Sequence, residues 1–327
     1  MKHIIGLLVI FVTLAACGVV AQAQQPTKIR RIGFLGVASL SATSARIEAF
    51  RHGLRELGNV EGRNIVIEYR WAEGKIERLP DLAAELVRLK VDVIVTGSAA
   101  PTRAAKEATT TIPIVMANDN DPVGSGHVAS LARPGGNITG VSTLAPEISG
   151  KQLELLKEIV PKLSRVAVLG TSTNSGYALV LREVELAAGA FGVKVQNLDV
   201  LDPKDIENAF RAASKERAGA VLLLASPVFL PQRTQIAELA VKNQLPAIFP
   251  QSEFVEAGGL MYYGTNTADL FRSAATYVDK ILKGAKPADL PVEQPIKFEF
   301  IINLKAAKQI GLTIPPNVLA RADKVIK

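Results

Sequence analysis

Cysteine is almost missing from this chain: Cys17 is the only one in 327 residues. No intramolecular disulfide and no cysteine metal centre can therefore be assembled. Histidine is nearly as scarce, with only His3, His52 and His127. His52 falls between the apolar positions of its helix and His127 beside a glycine turn, so each is expected at the surface or as a cap. Neither has the partner histidine or cysteine that a triad or metal set demands. Aromatic residues make up only 5% and Trp71 is the sole tryptophan, so the stacking platforms of a sugar site are scarce and Trp71 is expected in a half-buried packing role. Gly124-Ser125-Gly126 lacks the third glycine of a dinucleotide fingerprint, and no Gly-x4-Gly-Lys-Ser/Thr phosphate loop occurs. No cofactor, metal or catalytic residue is expected. Beyond the N-terminus no apolar run approaches the roughly 20 residues of a membrane span.

What is present describes a chain able to bury a core, with 48% hydrophobic and 21% charged residues. The formal net charge is +7, yet Lys and Arg are scattered, and the longest basic pairing is Arg30-Arg31 beside Lys28. That is a solvated basic surface and not a nucleic-acid face, which needs clustered charge. Lys2, the apolar stretch 4–16 and Ala21-Gln22-Ala23 have the order of a secretory signal over residues 1–23. The mature protein is expected in the periplasm. Leu14-Ala15-Ala16-Cys17 offers a competing reading, a lipobox that would put a lipid on Cys17. Cleavage after Ala23 is preferred, because the residues beyond it lead straight into the first strand.

The pattern that organises the rest lies in residues 91–126. Val91, Val93, Ile94 and Val95 make a β-branched run too short for a helix, as in a parallel strand covered on both faces. Gly97-Ser98 ends it, Pro101 suits the first turn of a helix, residues 112–117 form the next strand, and Asn118 to Asp121 sit at its carboxyl end. A strand over 31–38, a helix carrying Ile47, Phe50, Leu54 and Leu57, a strand over 64–71 and a helix from Leu79 precede this stretch. A short helix over 127–134 and a strand over 137–144 follow it. The alternation then restarts: Arg165-VAVLG matches Arg31-IGFLG, and strands and helices alternate to residue 249. A strand returns after Gly258-Gly259, a helix and a proline-rich connector (287–295) follow, and a last strand leads to a helical tail broken by Pro315-Pro316. Such alternation predicts α/β architecture, two Rossmann-like lobes with parallel sheets and a cleft between them. The expected boundaries are 28–142 plus 260–290 for the first lobe, and 143–259 plus 291–327 for the second.

Ligands of open α/β sheets bind at the carboxyl ends of strands, which here are repeatedly polar. The candidate ligand-binding residues are Ser39, Ser98, Ala99, Thr102, Asn118, Asp121, Asn174, Ser175, Ser226 and Glu253. Any one of them also reads as a helix cap or turn residue; it is their recurrence at facing sheet edges that points to a site. Hydroxyl and N–H groups of Ser98, Ala99 and Thr102 suit a carboxylate at a helix start, and Asp121 or Glu253 suits an ammonium.

Longer stretches narrow the reading. AFRHGLRELGNVEGRNIVIEYRWAEG (49–74), LPDLAAELVRLKVDVIV (79–95), DPVGSGHVASLARPGGNITG (121–140), EFVEAGGLMYYG (253–264) and YVDKILKGAKPADLPVEQP (277–295) closely resemble the ABC-transporter substrate-binding family of the tryptophan/tyrosine transport type. The resemblance runs from about residue 30 to the C-terminus. It implies a type I periplasmic-binding-protein fold with three interlobe crossings that closes on ligand by hinge motion. It also implies a monomer that captures a small solute, an aromatic or other amino acid among the candidates, and delivers it to ABC permease transmembrane subunits, with no nucleic acid as partner. The membrane is then met only through the permease or a lipid on Cys17. A periplasmic sensor feeding a membrane receptor is the alternative, and an enzyme using Asp119 or Asp121 as a base is a more distant one.

Overall fold

The computed structural model describes residues 29–143, 145–174 and 176–327. The expected signal segment, Cys17 and Ser175 lie outside the described residues. The first lobe begins with β1 (Arg30–Gly36), α1 (Leu40–Glu56), β2 (Ile65–Trp71), α2 (Leu79–Arg88), β3 (Val93–Thr96), α3 (Ala99–Ala108), β4 (Ile114–Asp119) and β5 (Ile138–Ser142). The strands pair in parallel in the order β2-β1-β3-β4-β5. Side chains alternate across a strand, so β3 sends Val93 and Val95 to one core and Ile94 to the other. That is why its residues are apolar without interruption: both faces are covered.

The second lobe contains α4 (Ala145–Ile159), β6 (Arg165–Gly170), α5 (Tyr177–Ala190), β7 (Lys194–Asp199), α6 (Ile206–Lys215), β8 (Ala220–Leu223), α7 (Arg233–Lys242), β9 (Ala247–Phe249), α8 (Ser252–Glu256) and β10 (Met261–Gly264). Next come α9 (Thr267–Leu282), β11 (Glu299–Asn303), α10 (Leu304–Gln309), α11 (Pro316–Leu319) and β12 (Lys324–Ile326). The second sheet runs β12-β11-β10-β9-β8-β6-β7, parallel except between β10 and β11. The two lobes with parallel sheets match the expected α/β class.

Three details depart from the sequence reading. Residues 127–134 form bends and irregular chain and no helix. Gly126 adopts φ +68°, and the amides of His127 and Val128 both bond the Pro122 carbonyl, which coils the chain back on itself before a helix can start. His127 is buried and not a surface residue; its Nδ1 lies 2.9 Å from Asp119 Oδ2. The tail beyond Pro315-Pro316 ends in β12, paired to β11, where only helix was expected.

The lobe boundaries also fall elsewhere. β10 completes the second sheet between β9 and β11, although residues from 260 were expected in the first lobe. The chain crosses at Thr265-Asn266, and only then does α9 join the first lobe, placing Leu270, Phe271, Ala274 and Val278 in its core. On the return, Glu293 still bonds Gly140 and Ser142 in the first lobe, so that crossing follows residue 293 and not 290. An apolar strand gives no hint of which sheet it will join, because either sheet would cover both its faces.

Candidate functional site

β1 and β6, the first strand of each half, both end in a glycine, and each glycine makes room for an aromatic ring. A Cβ on Gly36 would stand 2.3 Å from Cζ3 of Trp71, and one on Gly170 would stand 2.4 Å from Cε2 of Tyr177. No side chain tolerates such contacts, so the two glycines let Trp71 and Tyr177 lie across the strand ends. Both rings face the space between the lobes, which forms two connected chambers of about 700 and 820 Å³ reckoned out to open solvent. Asn118, Asn120, Asn174, Ala225 and Gln251 line both chambers and so join them into one cleft.

The chamber on the β1 side has an aromatic wall. Phe34 packs against Trp71 with centroids 5.2 Å apart and against Phe271 at 6.3 Å, and Tyr69 stacks behind Trp71 at 6.1 Å. Trp71 therefore lines the cleft as well as packing, and the wall comes from strands β1 and β2 together with α9. Sequence reasoning missed Phe34 and Phe271 because each occupies an ordinary core position in its own element.

Arg46 apart, the polar groups of the cleft are neutral. Ser98 precedes α3 with extended backbone, makes no side-chain cap bond, and lines the chamber with Ala99. Its hydroxyl and the first amides of α3 are available to an anion. The pairing of β4 with β5 loses register between Met116 and Asp119, an irregularity of the kind that re-aims side chains beside binding sites. Asn118 stands within it, and Asn120 is held by the Thr143 hydroxyl, 3.1 Å from its Oδ1. From the second lobe, the Asn174 side chain donates to the Ala225 carbonyl at 2.9 Å. Ser226 shares a 2.6 Å hydrogen bond with Thr171 and accepts from the Val228 amide. Burial raises the Tyr177 pKa, and its hydroxyl donates to Asn197 at 2.6 Å, so the ring edge is uncharged.

Other expected site residues are engaged elsewhere. Thr102 is fully buried, its hydroxyl spent on Thr96 and on the Ser98 carbonyl, so it supports the α3 start from behind. Ser39 caps α1 through the Ala42 amide and bonds Ser41. Asp121 accepts from the Gly124 amide at 2.8 Å and does not line either chamber, because it closes the turn that leads to His127. Glu253 does not stand free for an ammonium: its Oε1 takes both Nε and Nη2 of Arg46, at 2.9 and 2.6 Å. Arg46 was missed because it sits on α1 among residues with no motif, 207 positions away from its partner. Asp119 and His127 pair with side chains 0% and 1% exposed, away from the cleft lining. Among the described residues no three His, Cys, Asp or Glu side chains gather as metal ligands, and no helix is long and apolar enough to cross a membrane.

The profile described as "ABC transporter substrate binding protein" matches residues 32–326. The chain belongs to this family. A tyrosine-binding protein of Clostridioides difficile is 25% identical over 288 residues, covering 87% of this chain and 82% of that protein. Among solved structures, an ABC domain in complex with L-Trp from Streptococcus pneumonia superposes with a TM-score of 0.85 at 26% identity, over 91% of this chain and 99% of that one. A ligand-free, open structure of a substrate binding protein with adhesive properties from Clostridium difficile has 25% identity and the same coverages, but a TM-score of only 0.68. In this chain Arg46 of the first lobe and Glu253 of the second meet across the lobes. As a substrate-binding protein of the ABC transporter family, the chain has the two-lobed type I periplasmic-binding fold, and its role is solute capture.

Proposed function

We propose that this substrate-binding protein captures an aromatic amino acid between its lobes and delivers it to the permease of an ABC importer, working in the periplasm without catalysing any reaction. The observation that carries the reading is the pairing of an aromatic wall, Phe34–Trp71–Phe271, with a set of neutral polar groups in one closable cleft. The Ser98 hydroxyl and the first amides of α3 receive the carboxylate, as helix N-termini do for anions. Side-chain oxygens of Asn118, Asn120 and Gln251 receive the ammonium, Asn174 and Ser226 position the second lobe, and the wall takes the ring. The relatives that bind tyrosine and L-Trp support the same ligand class. Export by a signal ending at Ala23, in preference to a lipid on Cys17, and a monomeric state complete the proposal.

A thermal-shift screen over amino acids and small organic acids tests it. A ligand at about 1,000 times its Kd adds roughly 4 kcal/mol of stability, so tryptophan, tyrosine or phenylalanine should raise the melting temperature plainly. A shift with another solute class and none with these three would overturn the aromatic assignment.

A further inference from the structure

Arg46 is the only charged side chain lining either chamber among the described residues. It projects from α1 in the first lobe and is 6% exposed. Its partner Glu253 belongs to α8 of the second lobe, so this cation and anion meet only when the lobes do. The remainder of the wall is amide, hydroxyl, backbone and apolar carbon. Closed, the one charge in the cleft lining is therefore already matched, by a carboxylate that stands behind the lining. Its balance is also fragile: both donors of Arg46 converge on Oε1, and Oε2 is buried without a partner. Removing Glu253 would strand the nearly buried Arg46 as an uncompensated charge, and removing Arg46 would leave the partly exposed Glu253 without its counter-charge.

We propose that the Arg46–Glu253 pair sets the net charge of the accepted solute. The cleft closes over net-neutral solutes, zwitterions included, and discriminates against net anions and net cations; this rests on the interlobe cleft being the solute site. Closure strips water from the solute, and a net charge taken into a low-dielectric space is costly unless a counter-charge waits there. In the wild type none waits, because the one wall charge, Arg46, is already held by Glu253. An anionic solute must compete with Glu253 for Arg46, and a cationic one meets Arg46 in the lining with Glu253 engaged behind it. Neutralising Glu253 leaves Arg46 unmatched, so an anion then supplies the missing charge; neutralising Arg46 does the same for a cation.

Two matched solute sets test this without presuming the ring: tryptophan, indole-3-propionate and tryptamine, and leucine, 4-methylpentanoate and 3-methylbutylamine. Each set holds one skeleton as zwitterion, anion and cation. Calorimetric titration is run on the wild type, Glu253→Gln, Arg46→Met and the double variant. In whichever set binds, the wild type should favour the zwitterion at least tenfold over both relatives. Glu253→Gln should move the anion up at least tenfold relative to the zwitterion, Arg46→Met should do so for the cation, and the double variant should return to the zwitterion. The same rank order in all four proteins overturns the proposal. So does a wild type that takes the anion or cation within threefold of the zwitterion, a result that does not depend on either single variant folding. A response from the leucine set alone would defeat the aromatic assignment while still reading out the charge rule, and silence from both sets in all four proteins would count against both.

Discussion

Gly36 has no side chain, and the Trp71 indole occupies the volume that one would need. Gly36→Ala should push the indole out of its place, costing about 1–3 kcal/mol as overpacking does. Denaturant melts should show that loss, and affinity for an aromatic ligand should fall with it. Two neighbouring hydroxyls should separate cleanly under the same assays. Ser98 lines the cleft and has no internal partner in its cap, so Ser98→Ala should leave the denaturation midpoint unchanged. A hydrogen bond to a charged group contributes about 1.5–3 kcal/mol, so calorimetry should find affinity down roughly tenfold or more. Thr102→Ala should do the reverse: it leaves the buried Thr96 hydroxyl without its 2.7 Å partner, lowering stability by about 1–3 kcal/mol with little change in affinity. An unchanged affinity in Ser98→Ala would remove Ser98 from the site.

Among the elements, α9 carries an unusual load. It follows a strand of the second sheet yet packs on the first lobe, and Tyr277 ties it to the returning chain by donating a 2.6 Å hydrogen bond to the Pro291 carbonyl. Burial, with a smaller contribution from Glu293, pushes the Tyr277 phenol up to about 12, while an unfolded tyrosine titrates near 10. Between those values the folded state holds a proton that the unfolded state has lost, so stability falls as pH rises. The contribution is complete below pH 10 and is lost as pH climbs through about 12. Burial raises Tyr69 and Tyr262 in the same direction. Melting temperatures followed from pH 8 to 12, with phenolate absorbance alongside, should stay level to about pH 10 and then drop, ionisation and unfolding coming together. Phenolate appearing at pH 10 in a protein that still melts normally would contradict this.

At the scale of the molecule, the three crossings near Thr143, Thr265 and residues 294–298 join lobes that each keep their own cores, the arrangement that hinge closure requires. A ligand biases such an equilibrium only by its differential affinity for the two forms, and the cleft has both walls only when shut. Small-angle scattering should therefore find a larger radius of gyration without solute than with it. With no cysteine after Cys17, one engineered cysteine on each lobe would report the same closure by energy transfer. A radius that does not respond to a bound solute would show that the lobes do not move.

The alternation of short apolar runs with 3–4-spaced stripes was enough to determine the α/β class, the order of nearly every element and the polar strand ends, because those features follow from local periodicity and turn chemistry. The motifs from 49 to 295 carried the family. Local pattern could not say where a side chain points once distant segments meet. Thr102 and Ser98 are both polar and four residues apart, yet one faces the core and the other the cleft. His127 looked like a surface or capping residue until Asp119 claimed it, and Glu253 like a free acid until Arg46 arrived from the other lobe. β10 could have completed either sheet, and the hydrogen bonds offered by β9 and β11 decided the matter. Sequence alone specified the two jaws with their polar edges; long-range packing chose which of those groups meet the solute, and which of them meet each other.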